Sequence, residues 1–217
     1  MKKLFVSIFL VGLFYGSCAQ EKNSRIQQNL QPISVNEKDV HKAYFASGCF
    51  WCVEAIYESL KGVEEVFSGY AGGKTSNPTY SSIGTGKTGH AESVEVIYDP
   101  LEISYETLVD VFFGSHDPTS LDRQGPDFGS QYRSIAFYRN EKEKEIIRRK
   151  IDFLTKNNIF KKSIKTEILR IDKFYYAEYY HQDYERLNPN NPYVINVSIP
   201  RLNKFKSKFP ELLKKNH

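Results

Sequence analysis

The chain contains little cysteine, little net charge and no long apolar run. Only three of its 217 residues are cysteines, and two of these, Cys49 and Cys52, lie close together. Because there is no second cysteine pair, a zinc site made of two such pairs is excluded. The formal net charge of +4 is too small to argue for nucleic-acid binding. The sequence shows no internal repeat and no low-complexity block.

The N-terminus has the composition of an export signal. An apolar run from Leu4 to Tyr15 follows Lys2 and Lys3. This run is shorter than the roughly 20 residues that a comfortable membrane span needs. A charged head, a short apolar centre and small residues after it are typical of a secretory signal peptide, which we predict over residues 1–17.

Cys18 follows Gly16 and Ser17, and this order resembles a bacterial lipobox. In that motif the cysteine becomes the lipidated N-terminus, and Cys18 has no other evident role. We therefore expect an exported bacterial protein that is anchored by lipid to a cell membrane, facing the periplasm or the exterior. Cleavage near Ala19, which leaves a free protein, is the alternative. Residues 18–40 are polar and aperiodic, and we predict that they form a tether.

Apolar periodicity makes residues 41–217 one domain of alternating strands and helices. Strands are predicted at 42–47, 63–70, 92–98, 134–138 and 165–171, and helices after Cys49, after Ser104 and over 141–156. The order β-α-β-β-α-β, followed by α-β, predicts an α/β (α+β) two-layer sandwich with helices on one face of a mixed sheet. Residues 71–91 and 115–131 are predicted loops, and the segment after Phe174 carries no clear pattern.

The stretch GCFWCVEAIY, residues 48–57, places two thiols at the predicted turn from strand to helix. The free N–H groups of a helix N-terminus lower the pKa of a thiol, and Cys49 at the helix start gains most from them. Cys52 follows nearly one turn later, a spacing at which the pair can form and release a disulfide. A purely structural disulfide would close a very small loop and add little stability.

A zinc site is another alternative for this cysteine pair. His90-Ala91-Glu92 matches the H-x-E pattern of zinc deaminases, whose other ligands form P-C-x-x-C. In this chain CxxC precedes the H-x-E pattern and lacks the proline. We therefore predict no metal.

Glu92 shares strand parity with Val94, Val96 and Tyr98. If that apolar face is the core face, the Glu92 carboxyl points inward, where burial raises its pKa and favours the neutral acid. A neutral carboxyl can donate a proton to a substrate oxygen. A strand end at which Glu92 reaches water is an equal alternative on parity alone.

A thiol nucleophile, a proton donor, a second thiol and the apolar wall of Phe50 and Trp51 suit the reduction of an oxidised sulfur. The thiolate attacks the sulfur, the oxygen leaves with a proton, and the cysteine becomes a sulfenic acid. A second thiol then condenses with the sulfenic acid to give a disulfide.

The motifs GCFWCVE, GYAGG, NPTY, GHAE and DFGSQYRS follow one another in this order. They make residues 43–200 closely resemble peptide methionine sulfoxide reductase of the A type. The resemblance implies an α/β fold on a ferredoxin-like core and reduction of methionine sulfoxide with preference for its S epimer. It also implies that the protein uses no metal and no organic cofactor.

The resemblance gives roles to the reacting groups. Cys49 matches the catalytic nucleophile, and Glu92 matches the acid that protonates the sulfoxide oxygen. Tyr80 of NPTY and Tyr132 of QYRS match the two hydroxyls that hydrogen-bond that oxygen.

The resemblance also implies a substrate-binding set. Phe50 and Trp51 match the apolar pocket for the S-methyl group. Asp127 matches a residue that positions the amide side of the substrate. His181 lies in a segment similar to the family's YHQ segment near the site, and we include it in this set.

Recycling differs from that of relatives with resolving cysteines near the C-terminus, because no cysteine follows Cys52. The resemblance to a GCFWC subgroup makes Cys52 the expected resolving thiol. Its bond to Cys49 would require unwinding of the first helical turn, and a thioredoxin-like reductant is expected to reopen it. Oxidised proteins and peptides are the expected substrates, and a monomer is the default state. The alternative function is a thiol–disulfide oxidoreductase that acts through CxxC and does not need Glu92.

Overall fold

The computed structural model describes residues 33–34 and 41–215. The predicted signal peptide, Cys18 and the predicted tether apart from Ile33–Ser34 lie outside the described residues. Ile33–Ser34 pair with a strand near the C-terminus. In the part of the chain that is described, no helix has the length and apolar character needed to cross a membrane.

Within the described residues, seven strands form one mixed sheet and two more form a hairpin. In chain order the strands are β1 (Ile33–Ser34), β2 (Lys42–Ser47), β3 (Val63–Ala71), β4 (Ala91–Tyr98), β5 (Arg123–Gln124), β6 (Asp127–Phe128), β7 (Ser134–Tyr138), β8 (Glu167–Arg170) and β9 (Lys173–Tyr176). The sheet order is β1-β9-β3-β4-β2-β7-β8, and every neighbouring pair is antiparallel except β7 and β8. The hairpin consists of β5 and β6.

The helices follow the predicted alternation with the strands. They are α1 (Phe50–Glu58), α2 (Tyr80–Gly84), α3 (Tyr105–Ser115), α4 (Glu141–Lys156), α5 (Tyr184–Leu187) and α6 (Ile199–Lys208). Side-chain caps set two of the starts, because Ser104 accepts a hydrogen bond from the Thr107 N–H and Asn140 accepts one from the Glu143 N–H. Helix α1 links β2 to β3 and α3 links β4 to β7, so the central order β7-β2-β4-β3 is ferredoxin-like. This confirms the fold class that the sequence predicted.

The main core lies between the sheet and the helices on one of its faces. The Phe45 ring of β2 stacks on the Phe112 ring of α3, with centroids 5.2 Å apart. The shared core also includes Ile56, Val94, Val96, Val109 and Ile147. Burial of this apolar surface is the dominant stabilising contribution and fixes α1 against the sheet.

The other face of the sheet is covered because the sheet bends over on itself. Strands β8 and β9 stand near opposite ends of the strand order, yet only Ile171 and Asp172 separate them in sequence. The sheet must therefore bend until its two ends approach each other. Phe174 of β9 accordingly packs on Tyr44 of β2, with ring centroids 5.6 Å apart, in a second apolar cluster that contains Ile171.

Two segments that were predicted as loops contain short elements. Helix α2 lies within 71–91, where Thr79 and Ser82 form a reciprocal capping box. The hairpin of β5 and β6 lies within 115–131. Both elements are too short to produce a periodic apolar pattern, so they could not be predicted from the sequence.

The chain after β9 wraps along α1. Strand β9 is followed by α5, by a π-helical turn at Val194–Ser198 and then by α6. Beyond α6, the Leu212 carbonyl accepts a hydrogen bond of 2.9 Å from the Lys61 N–H, just past the end of α1. The same segment also reaches the start of α1, where Tyr184 stacks on Trp51.

Candidate active site

The thiol corner is a sharp turn from β2 into α1. Gly48 has φ = +96°, a conformation that other residues rarely adopt. A Cβ at Gly48 would also lie 2.6 Å from the Gln124 Cβ, so the position requires glycine. Cys49 is the N-cap residue of α1, as the sequence predicted, and Cys52 follows within the first turn.

Both thiols are buried, with 6% of Cys49 and 1% of Cys52 exposed. Burial raises the pKa of Cys49 well above its usual value. The hydrogen-bonding interaction with Cys49 instead lowers the pKa of Cys52 to about 6, with Arg201 acting in the same direction. The prediction that the helix terminus leaves Cys49 with a lowered pKa was therefore wrong. The two thiols titrate as a pair.

Glu92 points into the core, and this decides between the two alternatives left by strand parity. It is 2% exposed, and its Oε2 accepts a hydrogen bond of 2.9 Å from the Phe50 N–H at the start of α1. Burial raises the pKa of Glu92 to about 8, although the Phe50 hydrogen bond opposes the shift. The carboxyl is therefore mostly a neutral acid at neutral pH. It is bonded to the backbone of Phe50, the residue that follows Cys49.

Tyr80 and Tyr132 lie near this carboxyl. Burial raises the pKa of Tyr80 to about 12 and also raises the pKa of Tyr132, and Glu92 adds to both shifts. Both hydroxyls therefore remain protonated and able to donate. The Glu178 carboxylate fixes Tyr80 at the start of α2 by accepting a hydrogen bond of 3.0 Å from its N–H.

Phe50 and Trp51 form an aromatic wall beside the thiols. Their ring centroids are 6.3 Å apart, and the Phe50 ring lies 6.2 Å from the Tyr80 ring. Phe50 is fully buried, whereas Trp51 is half-buried. Tyr184 stacks on Trp51 at a centroid distance of 3.7 Å, which holds the indole in one orientation.

His181 contacts this wall. Its Nδ1 accepts a hydrogen bond of 3.2 Å from the Trp51 Nε1–H, so the ring proton lies on Nε2. Burial lowers the pKa of His181 to about 4, so the ring is neutral at neutral pH. Its Nε2 is buried without a hydrogen-bond partner among the described residues. The contacts of His181 show it holding Trp51, and its predicted place in substrate binding stays a prediction.

Asp127 lies at the other side of the site. Its Oδ2 accepts a hydrogen bond of 2.6 Å from the Tyr193 hydroxyl, and that hydroxyl is 4.0 Å from the Cys52 sulfur. Tyr193 also meets the edge of Trp51 at a centroid distance of 5.8 Å. Tyr193 therefore joins Asp127, the aromatic wall and the thiols.

The sequence analysis did not single out Tyr193, Tyr184 or Arg201. All three come from the segment after β9, which carries neither a period nor an isolated chemical signature. The chain contains fifteen tyrosines, and nothing in the sequence distinguishes Tyr184 and Tyr193 from the others.

The arrangement at His90 does not suit a zinc ligand. Its Nδ1 accepts a hydrogen bond of 3.1 Å from the Gly73 N–H, and its Nε2 lies 2.8 Å from the Thr75 carbonyl. Both ring nitrogens are therefore engaged by backbone. A second group of acidic side chains lies elsewhere, where one oxygen each of Glu54, Glu58 and Asp183 lies within 4.8 Å of the others. In this group the Glu54 carboxylate already accepts a hydrogen bond of 3.1 Å from the Asp183 N–H.

Known sequences and structures are similar to this chain. Residues 41–213 match the family of peptide methionine sulfoxide reductases. The chain belongs to this family. Peptide methionine sulfoxide reductase MsrA 2 of Synechocystis sp. is 42% identical over 187 residues, which are 86% of this chain and 87% of that protein. MsrA of Pasteurella multocida is 48% identical over 173 residues, which are 80% of this chain and 98% of that protein.

Solved structures agree with the family assignment. Methionine sulfoxide reductase A of Corynebacterium diphtheriae has a TM-score of 0.62 at 35% identity, covering 72% of this chain and 78% of that one. Reduced Mxr1 of Saccharomyces cerevisiae has a TM-score of 0.65 at 34% identity, covering 74% of this chain and 92% of that one. The family that the motifs predicted is confirmed.

Proposed function

We propose that this protein reduces methionine S-sulfoxide, in peptides, in proteins and as the free amino acid, to methionine. The observation that carries the proposal is the buried Glu92 carboxyl, which binds the Phe50 N–H and whose pKa burial raises to about 8. This places a neutral acid next to a thiol, and a sulfoxide oxygen can leave only if it acquires a proton.

The first step uses Cys49 as the nucleophile. Its thiolate attacks the sulfoxide sulfur while Glu92 donates a proton to the sulfoxide oxygen. A bond forms between the two sulfurs as the S–O bond breaks, and the protonated oxygen leaves as hydroxide. Hydroxide then adds to the Cys49 sulfur as the sulfur–sulfur bond breaks, which releases methionine and leaves Cys49 as a sulfenic acid. The sulfoxide sulfur is reduced by two electrons and the cysteine sulfur is oxidised by two electrons. The hydroxyls of Tyr80 and Tyr132 would donate hydrogen bonds to the oxygen as its negative charge develops.

The attack requires the proton of Cys49 to leave first. Cys52 is the nearby acceptor, since the two thiols interact by hydrogen bonding. Transfer of the proton from Cys49 to Cys52 gives the nucleophile without placing a second charge in the pocket.

The second step uses Cys52 as the resolving thiol. Cys52 releases the proton that it took from Cys49, and its thiolate attacks the sulfenic sulfur of Cys49. A disulfide forms, and the hydroxide that leaves takes up that proton and becomes water. The Val53 N–H bonds the Cys49 carbonyl at 3.3 Å, a long contact that local unwinding of the first turn would give up. A thioredoxin-like dithiol protein would then reduce the bridge by exchange.

The rival function, disulfide exchange on other proteins through CxxC, gives no role to the buried acid. Comparison of wild type with Glu92→Gln tests it directly. We expect the variant to lose sulfoxide reduction by a factor of about 100 or more, the usual scale of a general acid. A variant that still reduces the S epimer as fast as wild type would refute the role of Glu92.

Location and assembly complete the proposal. The apolar run, the lipobox-like Gly16-Ser17-Cys18 and the polar segment after it support a lipid-anchored, exported protein. We propose that it acts as a monomer and, as the resemblance to the family implies, without an organic cofactor or metal. Membrane fractionation of wild type and Cys18→Ser in the native host tests the anchor. The wild-type protein should sediment with membranes and the variant should not, and identical distribution of the two would contradict lipidation.

A further inference from the structure

The C-terminal segment places polar groups around Cys52. Tyr193 precedes the π-helical turn Val194–Ser198, Ser198 ends it, and Arg201 follows on the first turn of α6. Residues five apart lie on different faces of an α-helix, but the wider π turn brings them toward the same face. The turn therefore lets both Tyr193 and Ser198 interact with the thiol of Cys52.

Arg201 reaches from α6 to the end of β2. Its Nη2 donates a hydrogen bond of 3.0 Å to the Ser47 carbonyl, and its Nε donates one of 3.0 Å to the Ser115 carbonyl. Its Nη1 is 3.5 Å from the position that a Cβ would take at Gly48, the residue before Cys49. The guanidinium is thus held in place directly behind the thiol corner.

Among the described residues, Arg201 forms no ion pair, although Asp127 lies close enough to interact with its charge. Both carbonyl acceptors are neutral, and the side chain is half-buried. A charge in such a position is stabilised by a nearby anion. The Cys52 thiolate can supply it, and Arg201 is among the groups that lower the pKa of Cys52 against the effect of burial.

We propose that Arg201 is a positioning residue for the resolving step, whose charge keeps Cys52 in the thiolate form that attacks the Cys49 sulfenic acid. The inference rests on the proposed function and extends it to the C-terminal segment. In this step the Cys52–Cys49 S–S bond forms, the S–O bond of the sulfenic acid breaks, and hydroxide leaves and is protonated to water. A stable thiolate is also the better leaving group when the reductant later attacks Cys49.

Several other groups act on the same thiol and must be held constant in any test. Cys49 lies on the same helix, Glu92 on β4 is coupled to Cys52 by charge, and Asp127 reaches it through Tyr193. Ser198 also binds the Glu185 carboxyl, so Glu185 is connected to Cys52 through that hydroxyl. Burial raises the pKa of Asp127 and the charge of Arg201 opposes this shift, so a substitution at position 201 also acts on Asp127.

The test compares wild type with Arg201→Gln and Arg201→Lys, using the mature domain without its first eighteen residues. The matched control is Lys204→Met, which removes one positive charge from an exposed position of the same helix. The first measurement is the ultraviolet absorbance of the thiolate as a function of pH. We expect Arg201→Gln to raise the midpoint by about one pH unit, Arg201→Lys to raise it less, and Lys204→Met to leave it in place.

The second measurement is a single turnover with the S-sulfoxide, quenched with a sulfenic-acid probe and read by mass. Arg201→Gln should form the Cys49–Cys52 bridge about fivefold more slowly than wild type near pH 6, where loss of thiolate is greatest. Near pH 9 both proteins are ionised, and the variant should be as fast or faster, because a thiolate of higher pKa is more nucleophilic.

The outcomes separate charge, structure and function. A slowing of equal size at about pH 6 and about pH 9, or an unchanged midpoint, would overturn the role of Arg201 and indicate a structural defect. If Arg201→Gln does not fold, Arg201→Lys decides: a raised midpoint with a slowing that is larger near pH 6 than near pH 9 supports the role of the charge, and an unchanged midpoint or a defect of the same size at every pH refutes it. Failure of wild type to release methionine would refute the proposed function, while the thiolate titration would still test Arg201.

Discussion

Glu92 should make the protein less stable at neutral pH, and Glu92→Gln should reverse this. Burial raises the pKa of Glu92 from 4.5 to about 8. Between these values the folded state holds a proton that the unfolded state has released, so the free energy of unfolding falls as pH rises. The loss is about 1.4 kcal/mol per pH unit, which amounts to about 3 kcal/mol at pH 7 and about 5 kcal/mol above pH 8.

Glutamine has nearly the same shape, carries no charge, and its carbonyl oxygen can still accept the Phe50 N–H. We therefore expect Glu92→Gln to be inactive yet more stable than wild type. The gain should be below about 1 kcal/mol near pH 5 and about 3 kcal/mol near pH 7. Denaturant unfolding of both proteins across this pH range measures the difference, and Glu145→Gln, at an exposed position of α4, should change stability by less than about 0.5 kcal/mol. A gain that is absent, or that does not grow with pH, would refute the buried neutral acid.

Three further predictions concern turnover. The rate of methionine release should fall as pH rises through about 8, because Glu92 then loses the proton it donates; a pH–rate profile of the first turnover checks this, and a rate that keeps rising past that pH would contradict it. Cys52→Ser should release one methionine and keep a sulfenic acid on Cys49, seen as a gain of one oxygen in protein mass, and a bridge to any other group would show that Cys52 is not the resolving thiol. Trp51→Ala should raise KM about tenfold through loss of apolar contact with the S-methyl group, whereas unchanged kinetics would remove Trp51 from the pocket.

The fold was predictable where the apolar pattern extends over several turns of a helix or several alternating residues of a strand. The predicted strand 42–47 and the predicted helix 141–156 agree with β2 and α4 residue for residue. The alternation of side chains along the strand could not decide whether Glu92 is buried, because a residue at a strand end can be buried or exposed. Only the packing of α1 across β4, which seals this strand end, decides that Glu92 is buried.

The reacting groups of the site were predictable because they lie in short motifs with known chemistry. The groups that support them were not, because Tyr184, Tyr193 and Arg201 meet Trp51 and Cys52 only after the chain folds back over α1. The charge of the thiol pair was also misjudged. A helix start argues for a lowered pKa of Cys49, but burial and the hydrogen-bonding interaction with Cys52 outweigh it.

The most direct test of the account is one turnover of the reduced protein without its first eighteen residues. The S and R epimers of a methionine sulfoxide peptide are added separately, and product and protein mass are read together. The account predicts one methionine from the S epimer, none from the R epimer, and a loss of two hydrogens that maps to a Cys49–Cys52 bridge. No methionine from the S epimer would contradict the central claim.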